Sequence, residues 1–159
     1  MHWADNKVSP ASCTWVLPTM GLLQYNKAAT ERAKEDIKVA LNCLNDHLLT
    51  RTFLVGERLS LADIAVACTM LNLYKHVLDP SFRKPFDHVN TWFTRVTSQP
   101  KVKAVLGPFS LASKMAEFDA KRFAEFSSKV GATPTAEKTG KLQTFPVFFY
   151  FSFSCIYPS

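Results

Sequence analysis

The stretch from Leu61 to about Leu78 carries apolar side chains on two faces of one helix. Ile64, Cys68, Leu71 and Leu78 recur at helical spacing on one side, and Val66, Met70, Leu73 and Val77 on another. A surface helix needs one apolar stripe; a helix with two must be covered on both sides. The chain therefore has to supply neighbouring helices that enclose this one, and Asp79-Pro80 ends it.

The residues that start this helix are the local pair most suggestive of chemistry. "FLVGERLSLADIAVA" (53–67) sets Ser60 three residues before an acid, Asp63, among apolar neighbours. With Ser60 at the N-cap, Asp63 falls at the third helical position, where a capping-box acid reaches back to the Ser60 N–H. Leu59 before the cap and Ile64 at the fourth position have the spacing of a hydrophobic staple. A serine nucleophile needs a base, and no His is near Ser60 in sequence. One carboxylate does not make a metal site. Ser60, Asp63, Leu59 and Ile64 are therefore read as a structural helix cap, and no catalytic, cofactor or metal residue is assigned.

The rest of the chain reads as further helices. Ser9-Pro10 has the form of a cap followed by proline at the first helical position, and Pro18 should kink the apolar run behind it. From Lys27 to about Thr50, Ile37, Leu41, Leu44 and Leu48 form one stripe, with Glu31–Lys34 and Glu35–Lys38 spaced for surface ion pairs. Asp87 to Ser98 turns Val89, Trp92, Phe93 and Val96 inward. Pro100 opens a short helix that Gly107 closes, and Ser110 is expected to cap a last one from Leu111 to about Phe126. No period-two alternation occurs before residue 140. The fold class is all-α, a bundle of about six helices over residues 1–126.

The net charge of +6 is spread along the chain, with no basic block and no aromatics interleaved with arginine. That pattern gives no support to direct nucleic-acid binding. Cys13, Cys43, Cys68 and Cys155 form no C-x-x-C pair and no metal-ligand spacing with histidine. The first three sit in helical apolar patterns and read as small core residues. "MHWADNKVSPAS" lacks the apolar core of a signal peptide, so the cytoplasm is the expected compartment.

Residues 127–141 read as a polar linker, and 142–159, "LQTFPVFFYFSFSCIYPS", as an aromatic-rich, irregular or disordered tail. Pro146 and Pro158 interrupt it, and it is too short to span a membrane as a helix. The abrupt shift in composition suggests a non-standard C-terminus; membrane-surface contact by the tail is the weaker alternative, because no basic amphipathic helix accompanies it.

"FLVGERLSLADIAVA" together with "NTWFTRVTSQPKVKAVLG" resembles the helical C-terminal domain of the glutathione transferase fold, over about residues 2–126. "PASCTWVLPTMG", "LYKHVLDPSFRKPF" and "KMAEFDAKRFAE" are most similar to the gamma-subunit family of translation elongation factor 1. The resemblance implies a non-catalytic protein-interaction module that scaffolds the guanine-nucleotide exchange subunits of the elongation factor 1 complex. A homo-oligomer is left open. In complete glutathione transferases a thioredoxin-like N-terminal domain supplies the glutathione site, so the resemblance implies a truncated form that lacks it. Two alternatives share the fold: a partial glutathione transferase, with Tyr25, Tyr74 or Trp92 lining a pocket, and an assembly domain of an aminoacyl-tRNA synthetase. The "KMAEFDAKRFAE" ending speaks against the synthetase. Trp15 is the candidate for a partner surface, with a place in the core as the favoured alternative because most large aromatics are buried.

Overall fold

The computed structural model describes residues 3–130. The expectations for 142–159 and for most of the 127–141 linker lie outside the described residues. Those described form seven α-helices and no strand: α1 (Ser9–Thr19), α2 (Lys27–His47), α3 (Leu61–His76), α4 (Pro80–Arg83), α5 (Asp87–Thr97), α6 (Pro100–Leu106) and α7 (Ala120–Val130). A π-helical turn, Ala4–Val8, leads into α1.

The two-faced helix lies at the centre, as its pattern demands. α3 packs against α1, α5 and the π turn, while α2 packs against α1 and α5. Val66, Met70, Leu73 and Val77 are all buried, each worth roughly 1.5–3 kcal/mol when fully enclosed. The second face is less complete: Leu71 and Leu78 are buried, but Ile64 and Cys68 are only half-covered. The α2 stripe of Ile37, Leu41, Leu44 and Leu48 is buried throughout. Cys43 is exposed and Cys13 half-buried, so neither is the core residue that its apolar neighbours suggest. Burial pushes the Cys13 thiol pKa up, partly offset by a hydrogen bond with Ser9. Of the two ion pairs expected on α2, Glu31–Lys34 closes at 2.9 Å and Glu35–Lys38 does not form.

Three helix boundaries differ from the sequence expectation, each for a local reason. Ser9 is no cap: its backbone is helical, and its N–H reaches the Ala4 carbonyl across the π turn. The wider turn ahead of Pro10 accommodates a ring that would press on an ordinary helical carbonyl. Pro18 sits in the last turn of α1 and precedes its end at Thr19, so it accompanies a stop rather than a mid-helix kink.

The third difference is the largest. Residues 107–119 run non-helically along α3 instead of forming a helix from Leu111. The Ala112 and Ala116 N–H groups donate to the Tyr74 and His76 carbonyls, both at 2.8 Å. Those carbonyls belong to the last turn of α3, where no intrahelical donors remain. Satisfying them outweighs the helical spacing of Leu111, Met115 and Phe118. Helix formation is deferred to Asp119, whose carboxylate accepts the Arg122 N–H at 3.0 Å, and α7 continues through Ser127 to Val130 into the expected linker.

The same strap carries Phe118 back to stack on Tyr25 at 5.8 Å. There α7 meets Gly21, whose φ of +72° lies in the left-handed region. A Cβ at Gly21 would stand 2.5 Å from Arg122 Cβ and 2.8 Å from the Phe123 nitrogen. Gly21→Ala is therefore expected to displace α7, beyond the ~1–2 kcal/mol cost of the backbone conformation alone. Hydrogen exchange checks this: the amides of 120–130 should lose protection while those of α3 keep it.

Candidate functional site

The Ser60–Asp63 pair lies where α3 begins, beneath the 53–60 loop and beside α5. The Ser60 N–H donates to Asp63 Oδ2 at 2.9 Å and the Ser60 hydroxyl donates to the same oxygen at 2.6 Å. Both halves of a capping box are present. Leu59 packs on the core and Ile64 is half-buried.

The other carboxylate oxygen has a role that cap spacing does not reveal. Asp63 Oδ1 accepts the Leu54 N–H at 2.8 Å and the Trp92 indole N–H at 2.8 Å. Asp63 is 0% exposed and Trp92 is 1% exposed. One carboxylate thus joins the loop, the start of α3 and the middle of α5. Burial pushes its pKa up, but the hydrogen bonds from Leu54, Ser60 and Trp92 outweigh that and hold it below the usual value. With four donors converging on its two oxygens, the group is an ionised structural acceptor. Both of its oxygens are taken by donors within the fold, and the Ser60 hydroxyl donates its hydrogen bond to this carboxylate.

A second polar cluster braces the opposite end of α3. The Tyr74 hydroxyl donates to Asn90 Oδ1 at 2.8 Å, and Asn90 Nδ2 donates to the Arg83 carbonyl at 2.8 Å. Arg83 Nη2 reaches the Ala112 carbonyl at 3.1 Å, and its guanidinium lies 5.8 Å from the Tyr74 ring centre. The Tyr74 ring stacks on Phe93 at 4.0 Å. Burial pushes the Tyr74 phenol above its ordinary range, with Arg83 acting in the opposite direction. A phenol so enclosed donates one hydrogen bond and holds α3, α4, α5 and the strap together. Tyr74 and Trp92 are core residues on different networks, while Tyr25 is exposed on Phe118, so the three do not line a common pocket.

Trp15 is also core. It is 2% exposed, lies edge-on to Phe82 at 5.4 Å, and has the Lys34 ammonium 5.8 Å from its ring centre. The expectation of a partner surface at Trp15 is corrected on this point: packing against α2 and Phe82 covers the ring.

Two of the open clefts among the described residues flank the loop after α2. One, of about 310 Å³, is mostly apolar and is lined by Trp3, Cys43, His47, Leu54 and Val66. The other, about 360 Å³, is polar and runs between the loop after α2 and α5, with Arg51, His88 and Arg95 on its walls. Among the described residues, no group of three or more His, Cys, Asp or Glu is placed to hold a metal ion. No helix among them is long and apolar enough to cross a membrane.

Comparison with known proteins now decides the family. The family model for the glutathione S-transferase C-terminal domain matches residues 8–100. The chain belongs to the glutathione S-transferase C-terminal domain family. Within this family it is 57% identical over 132 residues to elongation factor 1-gamma of Artemia salina, covering 83% of this chain and 31% of that protein. It is 55% identical over 141 residues to elongation factor 1-gamma of Carassius auratus, covering 89% of this chain and 32% of the other. The Sus scrofa protein of the same name is 54% identical over 138 residues, which are 87% of this chain and 32% of that one. The chain spans about a third of the length of these relatives. Its fold matches the crystal structure of the GST-like domain of elongation factor 1-gamma from Saccharomyces cerevisiae, with a TM-score of 0.69 at 21% identity, over 74% of this chain and 53% of that one. In this transferase C-terminal domain, then, the Ser60–Asp63 device marks the start of the central helix.

Proposed function

We propose that this chain is the helical interaction module of a gamma subunit of the translation elongation factor 1 complex. It works in the cytoplasm by protein contact, scaffolding the guanine-nucleotide exchange subunits during elongation, and performs no chemistry of its own. The observation that carries this reading is the 54–57% identity to proteins named elongation factor 1-gamma over more than four-fifths of the chain. Identity at that level extends beyond the buried positions that the fold alone demands. The local geometry supports the same reading. The Ser–acid pair most suggestive of catalysis is fully committed to hydrogen bonds within the fold.

Immobilised full-length chain, mixed with purified exchange-factor subunits of the elongation factor 1 complex, should retain them through washing at physiological salt. In parallel, conjugation of glutathione to a chlorinated aromatic acceptor should stay at the uncatalysed rate. Failure to retain the subunits, or robust turnover, would overturn the proposal.

A further inference from the structure

The polar cleft between the loop after α2 and α5 gathers basic side chains. Its walls carry the guanidinium-bearing residues Arg51 and Arg95, the imidazole of His88, and three threonines, Thr50, Thr52 and Thr91; no acidic residue lines it. The two arginines meet a histidine ring and a backbone carbonyl rather than a carboxylate. Arg51 Nη1 lies 3.0 Å from His47 Nδ1 and 2.9 Å from His47 Nε2, and Arg95 Nη1 donates to the Thr52 carbonyl at 3.0 Å. The Arg95 guanidinium also lies 6.0 Å from the Phe53 ring centre. The ion pairs among the described residues are Glu31–Lys34, Glu117–Lys114 and Asp119–Arg122, and neither cleft arginine takes part in one. Glu57, the acid bonded to this loop, takes the Thr52 hydroxyl at 3.1 Å and neither arginine.

Two guanidiniums that no carboxylate pairs have N–H donors left for an incoming anion. The planar fork of arginine suits a carboxylate or a phosphate. Single-stranded nucleic acid also needs an aromatic platform for its bases. The cleft's indole, Trp92, is buried with its N–H committed to Asp63, so it offers none. The rim instead presents Leu49, which is 63% exposed. An acidic side chain with an apolar neighbour complements that arrangement.

We propose that the Arg51–Arg95 cleft docks an acidic peptide segment of a protein partner, its carboxylates on the two guanidiniums and an apolar side chain on Leu49. The assignment rests on the interaction-module reading and gives that module a binding face.

The test uses a fluorescein-labelled twelve-residue Glu/Leu peptide, its Glu→Gln counterpart and an RNA twelve-mer, each titrated against the full chain by anisotropy. The acidic peptide should bind, with affinity falling as salt rises. Arg51→Glu should weaken it by on the order of tenfold or more without changing the melting curve. Arg95→Lys, which keeps the charge and loses the fork, should weaken it less. Absence of binding to the acidic peptide, equal binding of the Gln peptide, indifference to Arg51→Glu, or tighter binding of RNA would each overturn the proposal. The retention experiment on exchange subunits separates the two levels. If the parent chain retains the subunits while the peptide fails to bind, this inference falls and the proposed function stands. If the parent chain retains no subunits, the proposed function itself falls.

Discussion

Replacing Asp63 by alanine should cost about 3–5 kcal/mol of folding stability, well above the ~0.5–2 kcal/mol of losing a helix cap. Three N–H groups, from Leu54, Ser60 and Trp92, lose their acceptor together with the Ser60 hydroxyl. The indole N–H is left in the core, where an unmet donor costs about 1–3 kcal/mol by itself. Against a total of about 5–15 kcal/mol, the loss should lower the melting temperature by more than about 10 °C. Urea denaturation measures it, and a fall under about 1 kcal/mol would mean that the buried donors find other partners. The pH dependence supplies a second reading. The folded pKa of Asp63 lies below its ordinary value, so its stabilisation is complete above about pH 4. It is lost as pH falls below the unfolded pKa and through the folded one. Asp63→Asn should remove this part of the acid-unfolding slope, because an amide does not titrate there and turns an N–H₂ toward donors.

Trp15→Ala should be comparably damaging, at about 3–5 kcal/mol, for an apolar rather than a polar reason. The ring fills space between α1, α2 and Phe82, and its edge-on contact with Phe82 adds roughly 0.5–1.5 kcal/mol beyond area alone. Trp15→Phe should recover most of the stability. It should also leave partner retention unchanged, because a side chain 2% exposed presents almost nothing to a partner. A chain in which Trp15→Phe folds as well as the parent yet loses its partners would return Trp15 to the surface.

The contrast between Asp63 and Trp15 shows where the sequence was legible. Local devices were readable because their spacing is their mechanism. The capping box needs only Ser60 and Asp63 three apart, and the burial of α3 follows from its two apolar faces. What the spacing omits is the third dimension. Trp92 lies 29 residues from Asp63 and no short-range pattern links them, yet their bond ties α5 to the start of α3. Residues 111–119 had a helical apolar spacing, and the unsatisfied carbonyls at the end of α3 drew them into a strap instead. The Arg51–Arg95 cleft was invisible for the same reason: two arginines 44 positions apart read as spread charge until α5 packs beside the loop. Trp15 reads in sequence as core more readily than as partner surface, and its ring is buried against Phe82.

The proposal that this domain acts by contact is tested most directly by isothermal titration of the purified full chain into purified exchange-factor subunits of the elongation factor 1 complex. The account expects saturable heat with a defined stoichiometry, undiminished by Trp15→Phe and weakened by Arg51→Glu. A flat titration from a chain that melts cooperatively would contradict it.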